Sequence, residues 1–465
     1  VTQRGQEYDV PDRILITGAH VITVDPARSE WAAGWVLIED GLIAALGDGT
    51  PPPRPDGPEV TVIDGRGCVL TPGLVNTHHH LYQWITRGLA ADSTLFEWLT
   101  TLYPVWAGID ADSVRVAATG GLARLAATGC TTTTDHLYVF PHDGGDVLGA
   151  EIDAARTVGL RFHPTRGSMD LGHSRGGLPP DSVVESLDAI LAASSAAVDR
   201  WHDPSFGSML RIALAPCSPF SVTGDLLRES ATLARELGVR LHTHLAETLD
   251  EEEFCRSNFG MTPVQYMESV GWVGDDVWYA HAVHLDDAAI ATMAATGTGA
   301  AHCPTSNARL GAGIARARDL IDARVPLGLG VDGAASNESC SMLEEAHHAA
   351  LFARARGGPR AMTVRESLDL ATLGGARVLG RENEIGSLEV GKLADLALWR
   401  IDGAAHAGIT DPVAALVLGD RPPLERLLVH GRVVVENGVV MTVDEETVAR
   451  DVAAAHTALL TKAGR

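Results

Sequence analysis

Between about residue 66 and residue 385, short apolar runs of strand length alternate with Ala- and Leu-rich stretches of helical length. Ser113 to Thr128 precedes Cys130 to Asp135, and Leu226 to Leu237 precedes Val239 to His244, so helices and buried strands follow one another in turn. Repeated units of this size predict α/β architecture with a parallel sheet, best satisfied by a (β/α)8 barrel. A doubly wound sheet would use the same stretches. The two ends of the chain have a different rhythm. Arg13 to Gly18, Trp35 to Gly41 and Val60 to Asp64, and later Ala394 to Trp399, Arg426 to Gly431 and Val433 to Gly438, are short β-rich runs between turn signals. The last of them ends in Asn437-Gly438, a strong hairpin dipeptide. Residues 1–65 and 386–465 are therefore expected to fold together as one small β-sandwich, the last residues returning as a helix, beside a barrel of residues 66–385.

In a barrel the carboxyl ends of the strands share one face. Here the expected strand ends carry His80, Asp135-His136, Arg166, Ser218, His244, His281, Asn307 and Asp332. The run Asn76-Thr77-His78-His79-His80 follows the apolar stretch Val69 to Val75, and alternation along a strand puts His78 and His80 on one side and His79 on the other. Two imidazoles on one side can share a small cation, although a solvated histidine cluster has the same letters. His242-Thr243-His244 repeats the pattern, and Glu247 lies three residues on, where a carboxylate could reach a substrate atom beside the metal. A buried strand histidine followed by a helix N-terminal Glu is the plainer alternative. Pro326 to Gly333 is an apolar strand that contains the letters of a dinucleotide fingerprint at Gly328, Gly330 and Gly333. Those glycines lie inside the strand and no ribose-binding acid follows, so we reject that function and read Asp332 as an oxygen ligand and proton acceptor. His281 ends its apolar strand and is preferred to His284 for orienting the attacking hydroxide or binding metal.

Composition narrows the partners. A net charge of -24 disfavours nucleic acid and anionic membranes. The six cysteines form no CxxC pair, Val1 to Tyr8 lacks an apolar signal core, and no stretch approaches the ~20 apolar residues that cross a bilayer. A soluble, reduced, cytoplasmic protein is the expectation. Lysine occurs only at Lys392 and Lys462, which argues against a carboxylated lysine bridging two metals and favours one ion.

The ordered set His78-x-His80, His244-x-x-Glu247, His281 and Asp332 resembles the amidohydrolase superfamily, specifically its purine and triazine aminohydrolase branch, over almost the whole chain. Thr132 to Tyr138, Thr165 to Met169, Leu214 to Ser221 and His302 to Asn307 are similar to stretches of bacterial 8-oxoguanine deaminases. The resemblance implies a distorted (β/α)8 TIM barrel with a β-sandwich from both termini. It implies one divalent ion, zinc, with iron as the other metal such donors accept, on His78, His80, His244 and Asp332. The reaction it implies is hydrolytic removal of an exocyclic amine from an aromatic heterocycle, 8-oxoguanine to urate foremost. Guanine, isocytosine, pterin and s-triazine rings or a cyclic amide are the alternatives, and a non-catalytic scaffold the remote one. Asp332 would take the water's proton, assisted by His281, while Glu247 protonates a ring nitrogen. For substrate contacts we expect Gln83 first, then Arg166, which could equally form a structural ion pair, and His136. Trp98, Tyr103 and Trp106 could stack on a flat ring or belong to the core. The partner is thus a small heterocycle, and a symmetric homo-oligomer is the general expectation for assembly.

Overall fold

The computed structural model describes residues 13–51 and 60–465, and the segment Val1–Tyr8 read above for a signal core lies outside them. Eight parallel strands form a closed barrel in chain order: Leu74–Asn76, Cys130–Leu137, Arg161–Ser168, Ala213–Pro216, Arg240–Leu245, Val277–His281, Gly299–His302 and Leu327–Leu329. Leu329 pairs back with Asn76, and this closure excludes the doubly wound sheet. The helices foreseen from the apolar pattern run Ala111–Ala127 and Gly224–Leu237, started by Asp110 and Thr223, whose side chains accept the Ser113 and Leu226 N–H groups.

The barrel is distorted where its first and last strands meet. Each breaks off and resumes as a two-residue strand, His79–His80 beside Asp332–Gly333, with Asp332 opposite His79. Glycine makes this approach feasible. A Cβ on Gly330 would lie 2.7 Å from the His78 Cβ, and one on Gly333 would lie 1.9 Å from Gln83 Oε1. The fingerprint-like spacing of glycines therefore serves close packing of the last strand against the histidine segment.

Both ends of the chain enter one nine-stranded sheet. Cys68–Pro72 joins them, pairing parallel with Arg13–Ile22 and antiparallel with Leu396–Arg400. Ile14, Ile16, Val36, Ile38, Leu396, Leu398 and Leu428 form its own core. Asn437 and Gly438, at φ 49° and 78°, make the two-residue hairpin turn between Arg432–Glu436 and Val439–Val440. After it the helix Glu445–Lys462 returns to the barrel helix Ala111–Ala127. The sheet is also tied to the barrel by charge: Arg161 is fully buried and donates from Nε and Nη2 to the two oxygens of Asp395, each at 3.1 Å. Among the described residues no helix is long and apolar enough to cross a membrane. All six cysteines are buried and unpaired.

Candidate metal centre and catalytic cleft

The strand ends converge as the pattern required, and hydrogen bonds behind each imidazole decide what it offers to the centre. The Trp278 carbonyl can only accept, so His242 carries its proton on Nδ1, 2.9 Å away. His242 Nε2 is then bare and accepts from His78 Nδ1 at 2.8 Å, which leaves His78 Nε2 without a proton. His80 Nδ1 donates to the His136 carbonyl and His244 Nδ1 to the Cys217 carbonyl, both at 2.7 Å. Three bare Nε2 atoms therefore face one another. Those of His80 and His244 are 3.0 Å apart, and those of His78 and His80 each stand 3.3 Å from Asp332 Oδ1. Lone pairs this close repel unless a cation lies among them. Two ligands each 2.0–2.1 Å from a tetrahedral ion are roughly 3.3 Å apart, so the donors fit a zinc-sized ion. His78 Nε2 is buried with no hydrogen-bond partner, as a waiting ligand atom should be. Burial holds His78 and His244 well below the ordinary imidazole pKa, keeping them neutral and able to ligate. This is a buried, histidine-rich metal-binding site.

Asp332 is held from behind. Ser306 and Ser336 hydroxyls donate to Oδ2 at 2.5 and 3.0 Å, and the Gly333 N–H donates to Oδ1 at 2.6 Å. His281 Nδ1 donates to Asn307 Oδ1 at 2.9 Å, which turns Nε2 toward Glu247 Oε2 at 3.6 Å and Asp332 Oδ2 at 4.0 Å. Burial, reinforced by the Asp332 charge, pushes the Glu247 carboxyl well above its usual range and so favours its protonated form. The turn that carries Glu247 is clamped by Glu251, whose two oxygens accept the N–H groups of Ala246 and Glu247 at 2.8 and 3.3 Å. Burial pushes Glu251 itself up to about 8. Ala246, His281, Ala282 and Asp332 all have left-handed backbones, at φ 53°, 74°, 49° and 61°. Each such residue costs about 1–3 kcal/mol, so surrounding contacts impose this geometry at the centre.

These groups open into a narrow cleft. Leu95, Trp98, Leu99, Phe220 and Leu310 make an apolar slot, and Tyr103, Tyr138, Cys217 and Ser218 add polar atoms. Trp98 Nε1 donates to the Ala335 carbonyl, tying the roof helix Leu95–Trp106 to the segment after Asp332. Trp106 lies outside the cleft, with its Nε1 on Thr86 Oγ1.

The three residues expected to touch substrate stand elsewhere. Gln83 is buried behind Gly333, with Oε1 3.4 Å from the Ala335 N–H. The Arg166 guanidinium is occupied by both oxygens of Glu185 at 2.8 Å and covers the Phe140 ring. His136 donates from Nε2 to the Ala215 carbonyl, so its bare Nδ1 joins the cluster of His78, His80 and His244 instead of the cleft wall. Asp135 accepts the Leu81 N–H at 2.5 Å and pins the chain just after His80. Supporting residues went unassigned in the sequence. His242 had a usable signal, two positions before His244 on the same strand face. Glu251 sits where a helix-starting Glu reaches back to free N–H groups. Ser306 and Ser336 had no signal, since only folding brings them to Asp332.

The sequence pattern of the amidohydrolase family matches residues 69–434. An 8-oxoguanine deaminase from Pseudomonas aeruginosa is 44% identical over 416 residues, 89% of this chain and 92% of that protein. An isoxanthopterin deaminase from an unknown prokaryotic organism is 38% identical, with 92% of each chain covered. Among solved structures, atrazine chlorohydrolase from Arthrobacter aurescens complexed with zinc superimposes with a TM-score of 0.90 at 34% identity, covering 95% of this chain and all of that one. With fold, donor set and extended similarity in agreement, the chain belongs to the amidohydrolase family.

Proposed function

We propose that the protein is a metal-dependent aminohydrolase that converts 8-oxoguanine and water to urate and ammonia. The observation that carries the reading is the placement of a buried Glu247 beside His281, Asp332 and three converging imidazoles, against an apolar slot suited to a flat ring. His78, His80, His244 and Asp332 would hold one divalent ion, zinc by its donor set. When bound, such an ion makes water a nucleophile at neutral pH. Asp332 takes a proton from the attacking water, aided by the His281 imidazole beside it. Glu247 gives its proton to the ring nitrogen next to the carbon under attack, so negative charge does not build up on the ring. As the amine leaves, it takes the proton from Asp332 and departs as ammonia. The new hydroxyl returns a proton to Glu247 and collapses to a carbonyl, which restores both carboxyl groups. Leu95, Leu99 and Phe220 exclude bulk water from these transfers.

The choice of ring rests on the 44% identity with an 8-oxoguanine deaminase. 8-Oxoguanine and isoxanthopterin share a 2-amino-4-oxopyrimidine ring, so that half of the substrate is the better supported. Ammonia release by the zinc-loaded protein from 8-oxoguanine, guanine, isocytosine, isoxanthopterin, adenine and hydroxylated aminotriazines tests the proposal. We expect turnover on 8-oxoguanine, lowered by about 10³-fold in Glu247→Gln with metal retained. Preference for another ring replaces the substrate. Near wild-type rate in Glu247→Gln removes that residue from proton transfer.

A further inference from the structure

The opposite end of the barrel holds a cavity of about 190 Å3, among the starting residues of the fourth, fifth and sixth strands. Its ionisable lining residues are His163, His202, Arg211 and Arg240, with no Asp or Glu among the residues that form its wall. Each of them keeps an N–H group without an acceptor among the described residues. Arg381 Nη1 donates to His163 Nε2 at 3.1 Å, so His163 carries its proton on Nδ1, which has no partner among the described residues. The Ile212 N–H donates to His202 Nδ1 at 3.1 Å, leaving that proton on Nε2, again without a partner. Arg211 and Arg240 spend Nη2 on protein acceptors, while their Nη1 groups have none among the described residues; their Nε–H groups are closed off from the cavity.

Charge points the same way. Besides burial, the guanidiniums of Arg381, Arg211, Arg161 and Arg240 hold His163 well below its usual pKa, so all four act at one place. Two carboxylates pair with them: Asp395 with Arg161, and Glu384 with both Arg211 and Arg381. Arg240 donates to the Asp275 carbonyl at 2.6 Å and forms no ion pair among the described residues, although Asp276, Asp275 and Glu382 act on it from farther off. A chain of net charge -24 thus gathers four guanidiniums around a cavity whose wall carries no carboxylate. At this end of a barrel, buried ion pairs ordinarily serve stability. That accounts for Arg161 and Arg381, but not for donors left without acceptors.

We propose that this cavity binds a tetrahedral oxyanion, phosphate either free or as the ester group of a small metabolite. Such an anion accepts several hydrogen bonds at once, and each gains from the guanidinium charge. The cavity exceeds the size of phosphate and leaves room for an organic group.

Calorimetric titration of the metal-loaded protein with inorganic phosphate and, separately, ribose 5-phosphate tests this in wild type, Arg240→Gln and His202→Leu. We expect one saturable site per chain, weakened by about tenfold or more in each variant, with metal content unchanged. Tighter binding of ribose 5-phosphate would assign the ester, and tighter or equal binding of phosphate the free ion. Equal affinity in wild type and both variants would put the anion at the metal centre or elsewhere and overturn the proposal. No binding of either probe up to about 50 mM would overturn it as well. If Arg240→Gln fails to fold, His202→Leu, at a half-buried position, carries the same comparison. A selenate-soaked crystal then gives a second measurement: selenium density in the cavity supports the site, and its absence removes it.

Discussion

His78 owes its free Nε2 to two hydrogen bonds in series, from its own Nδ1–H to His242 and from His242 to the Trp278 carbonyl. His242 also lies flat on the Trp278 ring, with centroids 4.3 Å apart, so it cannot swing away. Removing it should therefore act on metal affinity without removing a ligand. His242→Ala is expected to weaken metal binding by about 10- to 100-fold, measured by competition with a chelator. Affinity equal to wild type would mean that the His78 ring is held by packing alone.

At the scale of elements, the carboxylate of Glu251 fixes the turn between the fifth barrel strand and the helix Leu249–Phe259. Ala246 stands there with a left-handed backbone that an alanine does not choose by itself. Without the clamp the turn relaxes and Glu247 loses its aim at the ring. Glu251→Ala should lower kcat by about tenfold or more, leave KM and metal content near wild type, and add little to Glu247→Gln in a double-mutant cycle. Additive losses would make Glu251 a stabilising residue with no part in aiming Glu247. The clamp was legible only as a helix-starting Glu four residues after another. Which N–H groups it reaches depends on a turn whose backbone angles no local propensity favours.

For the whole molecule, two buried carboxyl groups make separate tests. Asp395 is the link between sheet and barrel, and Asp395→Ala would leave Arg161 buried without its partner. A loss of about 3–5 kcal/mol in denaturant unfolding is expected. Glu345 accepts Asn337 Nδ2 at 2.6 Å and the Thr305 N–H at 3.3 Å, and burial pushes its pKa from 4.5 up to about 8. Between these values the folded protein keeps a proton that the unfolded chain has released. Its stabilisation is therefore complete below pH 4.5 and is lost as pH rises through about 8. From pH 5 to 8 this group's contribution should fall by at most about 1.4 kcal/mol per pH unit, read as a pH-dependent difference in denaturant midpoint between wild type and Glu345→Gln; a difference that does not change with pH would remove Glu345 from the linkage.

The sequence by itself determined the alternation of strands and helices, the β-rich ends, and the order of His78, His80, His244, Glu247, His281 and Asp332. Periodicity and strand-end position are local properties, so they can be read before any contact forms. The tertiary structure alone decided which donors were already occupied. Arg166 is spent on Glu185, His136 turns into the histidine cluster, and Gln83 is shut behind Gly333, because partners 19 to 252 residues away in the chain reach them first. It also decided the aim of Asp332 and Glu247, through Ser306, Ser336 and Glu251. Hydrogen-bond geometry of that kind arises from the packing of separate strand ends and leaves no periodic trace in the chain.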